Sequence, residues 1–179
     1  MNIQYQKIRL SAWLMLFFIS SHCVGQFTKS TSCSDSRFDK KVNSYLSYTA
    51  PVVSVSKAYQ QKTSFTFLDA REYPEYLVSH IPQSRYVGFD KFRIETISDL
   101  PKDTKIIVYC SIGYRSEKIA TKLIKAGYTQ VYNLYGSIFE WANEGYEMTD
   151  QNGKPTNRIH TYNKSWSQWV LQPKLKKIW

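Results

Sequence analysis

The chain has 179 residues, with 24 Lys and Arg against 14 Asp and Glu, a formal charge of +10 and 3 Cys. That length holds one domain of roughly 100–150 residues plus extensions and excludes two large ones. With 42% hydrophobic and 16% aromatic residues but only 7 Gly and 6 Pro, the chain can bury a core and is neither disordered, collagen-like nor a disulfide framework.

In chain order, Met1 to Arg9 carries Lys7 and Arg9 without an acid, and Leu10 to Ile19 is an apolar run broken only by Ser11. Small residues and then polar sequence from Gln26 follow, the layout of a secretory signal peptide with cleavage after Gly25. The apolar run falls short of the roughly 20 residues that span a bilayer. Acylation at Cys23 is the rival processing, but His22 stands where a small residue is expected. The chain is therefore expected to be exported, periplasmic or secreted, with residues 1–25 removed and a leader with a short helix over residues 26–51.

Within that leader, Gln26 to Asp35 reads as loose, and Arg37 to Tyr48 as an amphipathic helix with Phe38, Val42, Tyr45 and Leu46 on one side. Strands are expected at Phe65–Leu68, Ser84–Val87, Lys105–Tyr109 and Gln130–Leu134, with helices at Tyr73–Ser79, Arg115–Lys125 and Ser137–Asn143. Pro74 sits in a first helical turn and Gly127 closes a helix. The run Lys105–Tyr109 (KIIVY) has the continuous apolarity of a strand buried on both faces. Strands separated by helices imply βαβ units, hence an α/β fold with a mostly parallel sheet flanked by helices on both faces.

The sharpest feature is Tyr109-Cys110-Ser111-Ile112-Gly113-Tyr114-Arg115-Ser116, a cysteine between a buried strand and a helix. Ligands of open α/β sheets bind at the carboxyl ends of strands. A loop there can curl its N–H groups toward one centre, and Gly113 eases the turn. The helix N-terminus and Arg115 both favour thiolate over thiol at Cys110 and would also hold a small oxyanion. The bland alternative is a cysteine that only packs.

These residues resemble a single-domain rhodanese, a sulfurtransferase of the rhodanese/phosphatase fold, over about residues 52–148. Leu68-Asp69-Ala70-Arg71 is similar to the family's D-x-R segment, and Glu75-Tyr76 with His80-Ile81-Pro82 to its E-[FY]-x-x-G-H-I-P-G-A segment. Ile107-Val108-Tyr109-Cys110 with Gly113 and Arg115-Ser116 resembles the active-site loop, and Gly127-Tyr128, Val131, Leu134, Gly136 and Trp141 the closing segment. The chain departs from the pattern at Ser79, Gln83 and Ser84 around H-I-P, and at Tyr135, where the family often has the first of two glycines.

The resemblance implies covalent catalysis without cofactor. The Cys110 thiolate takes a sulfane sulfur from a small anionic donor such as thiosulfate, and the persulfide passes it to a thiol or cyanide acceptor. Loop N–H groups of Ser111, Ile112, Gly113, Tyr114, Arg115 and Ser116 would stabilise its charge, with Arg115 orienting the donor and Asp69 and Arg71 supporting the loop. For Asp69 and Arg71 a purely structural ion pair is the competing expectation. Phosphatases of the same fold carry C-x5-R, whereas Cys110 to Arg115 is C-x4-R and Tyr109, not a histidine, precedes the cysteine. A phosphatase or arsenate reductase of this fold, or a non-catalytic binding module, are the alternatives.

No metal is expected, because His22, His80 and His160 lack ligand-spaced partners. Cys33 could pair with Cys110 in an oxidising compartment, against the plainer expectation of a thiol carried on a loose leader.

Residues 149–179 are expected to form an extension packed on the domain. Its Trp166 and Trp169 would share one face of a short helix starting near Asn163 or Ser165. The segment 151–179 holds six basic residues and no acid, whereas 26–150 carries 16 basic against 14 acidic residues. The overall charge therefore belongs to a signal and a tail. Nucleic acid is not expected as a partner. The Lys174–Trp179 end remains open to weak contact with an anionic membrane surface or a protein.

Overall fold

A computed structural model describes residues 31–179. The expected export signal and the candidate acylation position Cys23 lie outside the described residues. The first helix, α1 (Ser36–Asn43), begins where the Asp35 carboxylate accepts the N–H groups of Arg37 and Phe38, an N-cap. It ends about a turn and a half before Tyr48, the end expected from its periodicity. The reason is tertiary. Both carboxylate oxygens of buried Glu117 accept backbone N–H groups of the following segment, from Ser47 at 3.0 Å and Thr49 at 2.8 Å. Those bonds hold the chain on a non-helical path, with Tyr48 between them at φ +54°, where helix propensity alone would carry it on.

Five parallel strands form the central sheet, in the order β1 (Val52–Val53), β5 (Gln130–Leu134), β4 (Lys105–Tyr109), β2 (Thr66–Asp69) and β3 (Arg85–Tyr86). The helices α2 (Val55–Gln60), α3 (Tyr73–Val78) and α4 (Tyr114–Lys125) lie between them in the chain, and α5 (Ser137–Asn143) follows β5. The mixed α/β fold, the parallel sheet and the flanking helices agree with the sequence reading. The two-residue β1 and the six-residue α2 were not foreseen.

Alternate residues along β4 feed two different cores. Ile107 and Tyr109 join Phe67, Val53, Leu134, Trp141 and Phe38 on one face. Ile106 and Val108 join Leu68, Val131, Ile119 and Leu123 on the other. A strand flanked on both faces must be apolar at every position, and Ile106 to Tyr109 are all fully buried.

The C-terminal extension packs on the first of these faces. Met148–Thr149 (β6) pairs antiparallel with Pro155–Thr156 (β7), and Arg158–His160 (β8) pairs parallel with Lys176–Ile178 (β9). The expected tryptophan helix is a short 3-10 turn, Trp166–Trp169. Its Trp169 ring stacks on Phe38 with centroids 5.8 Å apart, and Asn143 of α5 donates to the Trp169 carbonyl and accepts the Leu171 N–H. Ile159 and Val170 are buried in the same core. Among the described residues no helix is long and apolar enough to cross a membrane.

The end of the leader is not loose. Cys33 is buried in the core, its N–H held by Asp39 Oδ1 at 2.9 Å, and its thiol is not joined to Cys110.

Candidate active site

Strand β4 delivers Cys110 to the carboxyl edge of the sheet, and α4 starts four residues later at Tyr114. The loop between them is pinned from several sides. The Cys110 N–H donates to Ser137 Oγ at 3.0 Å, and that hydroxyl donates on to the Leu134 carbonyl. The carbonyls of Cys110 and Ser111 accept the N–H groups of Ile138 and Phe139 at the start of α5. Gly113 closes the turn at φ +119°, a region that favours glycine, and its carbonyl accepts from Asn133 Nδ2 and Ser116 Oγ.

This geometry points donors at the sulfur. The Gly113 N–H lies 3.2 Å from Cys110 Sγ and the Ser116 hydroxyl 3.5 Å away. Cys110 is almost fully buried, at 1% exposure. Burial pushes its thiol up, but the Arg115 charge, the Ser116 hydroxyl and N–H and the Gly113 N–H together bring it below the ordinary cysteine value. The side chain is a thiol whose thiolate form is favoured by a cradle of donors, which is what a sulfur nucleophile requires.

Arg115 does not reach into an empty pocket. Its guanidinium forms a two-pronged pair with Glu75 of α3, at 2.7 and 2.8 Å, and also donates to Ser111 Oγ at 3.0 Å. Glu75 accepts a further bond from Ser111 Oγ at 3.2 Å and the Glu72 N–H at 3.0 Å. Burial pushes the Glu75 carboxyl up, and Arg115 more than offsets this, so it titrates below the usual range. Glu75 is the residue that the sequence reading passed over as part of a motif. It stands 40 positions from Arg115, and only the α3 and α4 placements bring the two together. The available signal was an acid in the first turn of α3, where it also completes a capping box with Glu72.

Asp69 and Arg71 form a fully buried ion pair, with Arg71 Nη2 2.6 Å from Asp69 Oδ2. Arg71 also donates to the Ser79 carbonyl at 2.6 Å, and its guanidinium lies over the Tyr109 ring. No hydrogen bond or ion pair among the described residues joins either to the loop 110–116; their contacts run to each other, to the Ser79 carbonyl and to the Tyr109 ring at the strand end. Tyr109, in turn, accepts the Ile81 N–H and pairs with Ser84 Oγ at 2.8 Å. His80 stacks on Tyr76 with centroids 4.0 Å apart and meets the Tyr76 carbonyl through Nδ1, a packing role away from the sulfur.

The departures from the resembled pattern now have local meanings. Gln83 adopts φ +63°, a conformation glycine takes more readily. Ser79 Oγ is buried with no hydrogen-bond partner among the described residues, a polar atom that a glycine would not bring. Tyr135 reaches Asp39 Oδ1 at 3.1 Å and so ties α1 to the end of β5.

Cys110 lies in the wall of a pocket of about 430 Å³. Ser111, Ile112, Tyr114 and Arg115 line it from the loop side, and Tyr162 and Trp166 from the C-terminal extension. The extension is thus a wall of the site, which the sequence reading did not place there. Among the described residues no group of three or more His, Cys, Asp or Glu side chains could hold a metal.

Comparison with known proteins gives one consistent family. The model of the Rhodanese-like domain matches residues 52–144. A sulfurtransferase of Allochromatium vinosum is 29% identical over 100 residues, 56% of this chain and 92% of that protein. A tRNA uridine(34) hydroxylase of Erwinia tasmaniensis is 33% identical over 87 residues, 46% of this chain. The chain spans only a quarter of the length of that hydroxylase, 25%. Among solved structures, a rhodanese-related protein from Thermoplasma volcanium superposes with a TM-score of 0.51 at 26% identity, over 55% of this chain and 96% of that one.

Proposed function

The chain belongs to the rhodanese-like domain family, and from that premise we propose that it is a sulfurtransferase working through a Cys110 persulfide. The observation that carries the reading is the cradle around Sγ. A buried thiol held below its ordinary pKa by Arg115, Ser116 and the Gly113 N–H is a nucleophile prepared to hold added negative charge on a second sulfur.

The Cys110 thiolate attacks the outer sulfur of a donor such as thiosulfate. The bond from that sulfur to the sulfonate sulfur breaks, sulfite leaves with the electron pair, and a Cys110 persulfide remains. A thiol or cyanide then attacks the outer sulfur and returns Cys110 to thiolate. The loop N–H groups supply fixed dipoles that need no reorganisation during either step. Arg115, already paired to Glu75, contributes field at the sulfur, and its donor contact would use the N–H edge that Glu75 leaves open.

Thiosulfate, cyanide and a simple thiol are the reactants to try first. Persulfide formation is read as a mass gain of one sulfur on Cys110, and turnover as sulfite release. Full activity in Cys110→Ser would sink the proposal. Faster turnover of a phosphate ester than of thiosulfate would move the assignment to a phosphatase of this fold. We further propose export through residues 1–25, which the N-terminal residue of the mature protein, expected to be Gln26, would test.

A further inference from the structure

Five rings converge on the mouth of the Cys110 pocket, those of Tyr45, Phe89, Tyr114, Tyr162 and Trp166. Three of them, Tyr45, Tyr114 and Tyr162, are among the large hydrophobic side chains left exposed, at 38%, 41% and 57%. Singly scattered exposed rings need no explanation, but rings gathered on a concave surface above a nucleophile mark a ligand surface. They come from four separate stretches of chain, and two are supplied by the extension. Tyr45 meets Tyr114 and Trp166 edge-on at 6.1 and 5.5 Å, so three of the rings touch, and the Arg115 guanidinium lies 5.6 Å from the Tyr162 ring centre.

The size and ring lining of the pocket leave room for an organic molecule beyond the space a bare sulfur oxyanion needs. Its volume of about 430 Å³ falls among clefts that hold organic ligands, roughly 300–1,000 Å³. Arg115 is the one cation among the described lining residues, and Glu75 engages it; Glu72 and Asp90 add negative charge to the wall, and Lys41 and Lys118 lie over the Tyr45, Trp166 and Tyr114 rings from outside it. Beyond the charged contact that a donor anion would make with Arg115, the rings offer a neutral apolar or aromatic body stacking and desolvation.

We propose that this pocket seats the sulfur acceptor as an organic thiol with an aromatic or otherwise apolar body, with Tyr162 and Trp166 as the residues that select it. The proposal rests on the persulfide reading above. In the step it describes, the acceptor thiol gives its proton to solvent and its thiolate attacks the outer sulfur of the Cys110 persulfide. The bond between that sulfur and Sγ breaks, Sγ leaves as thiolate, and the acceptor departs as a persulfide. No outside oxidant or reductant enters.

The test compares 2-phenylethanethiol with 2-mercaptoethanol as acceptors for thiosulfate-loaded full-length protein, in wild type, Tyr162→Ala and Trp166→Ala. Wild type is expected to prefer the aromatic thiol by about tenfold in kcat/KM, the scale of one or two aromatic contacts. The preference should reside in KM, and each substitution should remove most of it. Tyr162 is exposed, so its variant keeps the test open if Trp166→Ala does not fold. Equal use of the two thiols, or a preference that survives both substitutions, overturns the proposal. Failure of the protein to load sulfur is read separately by mass and counts against the persulfide reading. In that event 2-phenylethanol is added while iodoacetamide alkylates Cys110. Slowing in wild type but not in Tyr162→Ala supports the pocket, and no slowing overturns it.

Discussion

Replacing Arg115 by glutamine, alone and together with Glu75→Gln, separates two jobs that one side chain performs. The pair is close to buried, with side-chain exposures of 14% and 4%. Removing one partner of a buried pair costs about 3–5 kcal/mol, because the other charge is left desolvated. Here Glu75 keeps its bonds from Ser111 and the Glu72 N–H, which places Arg115→Gln at the lower end, about 3 kcal/mol. For a chain of this size that is a drop of roughly 6–12 °C in Tm. The double variant replaces two charges by two amides that can bond each other, and stability should return to within about 1 kcal/mol of wild type. Cys110 behaves differently. Its thiolate is favoured by the Arg115 charge, and that charge is absent from both variants, so alkylation by iodoacetamide at neutral pH should slow about tenfold in each. Thermal unfolding and alkylation rate are measured side by side. If the double variant regains the fast alkylation along with its stability, Arg115 acts by shaping the loop and not by its charge, and the electrostatic reasoning fails.

Further predictions concern pH, burial and backbone. Glu75 titrates lower in the folded chain than its ordinary value of 4.5, so its contribution is complete above about pH 4.5 and is lost as pH falls through the lowered folded value; Glu75→Gln should lower stability at neutral pH and flatten the acid limb of the Tm profile. Glu140 runs the other way: burial pushes its carboxyl up, and although Oε1 accepts the Ser34 N–H, Oε2 is buried with no hydrogen-bond partner among the described residues. It therefore withdraws stability as pH rises from its usual 4.5 to the raised value, and Glu140→Gln should raise Tm at pH 7 by about 2–4 °C; a fall would show that the amide is worse placed than the carboxylate. Gly136 sits at φ +73°, and an added Cβ would come within 2.7 Å of Glu140 Cβ and 2.8 Å of Cys33 Sγ, so Gly136→Ala should cost about 2 kcal/mol or more in denaturant unfolding. A cost below about 0.5 kcal/mol would mean that α5 shifts freely.

What could be read from residue order alone follows from how local each determinant is. Strands β4 and β5 and helices α4 and α5 carry their instructions in their own residues. Ile106–Tyr109 is apolar throughout, and α4 presents Ile119 and Leu123 inward. The cysteine loop was legible for the same reason, since strand, turn glycine and helix start are contiguous. Helix α1 was overrun because its end is set by Glu117, 70 positions from Ser47. Cys33 was misplaced because a leader rich in Ser and Thr gives no local sign of the Asp39 bond that holds it. The partnership of Arg115 with Glu75 and the place of Tyr162 and Trp166 above the sulfur are products of topology, and no window of neighbouring residues contains them.

The sheet is also a partition. Ile106 and Ile107 are neighbours in sequence, yet their side chains belong to separate apolar volumes. Changes to such a pair should combine almost independently, while Ile107 and the distant Trp141 or Phe38, which share a volume, should show epistasis. The two halves of the interior can therefore accumulate substitutions on separate histories, and the central strands β2, β4 and β5, which send side chains into both, must remain acceptable to each.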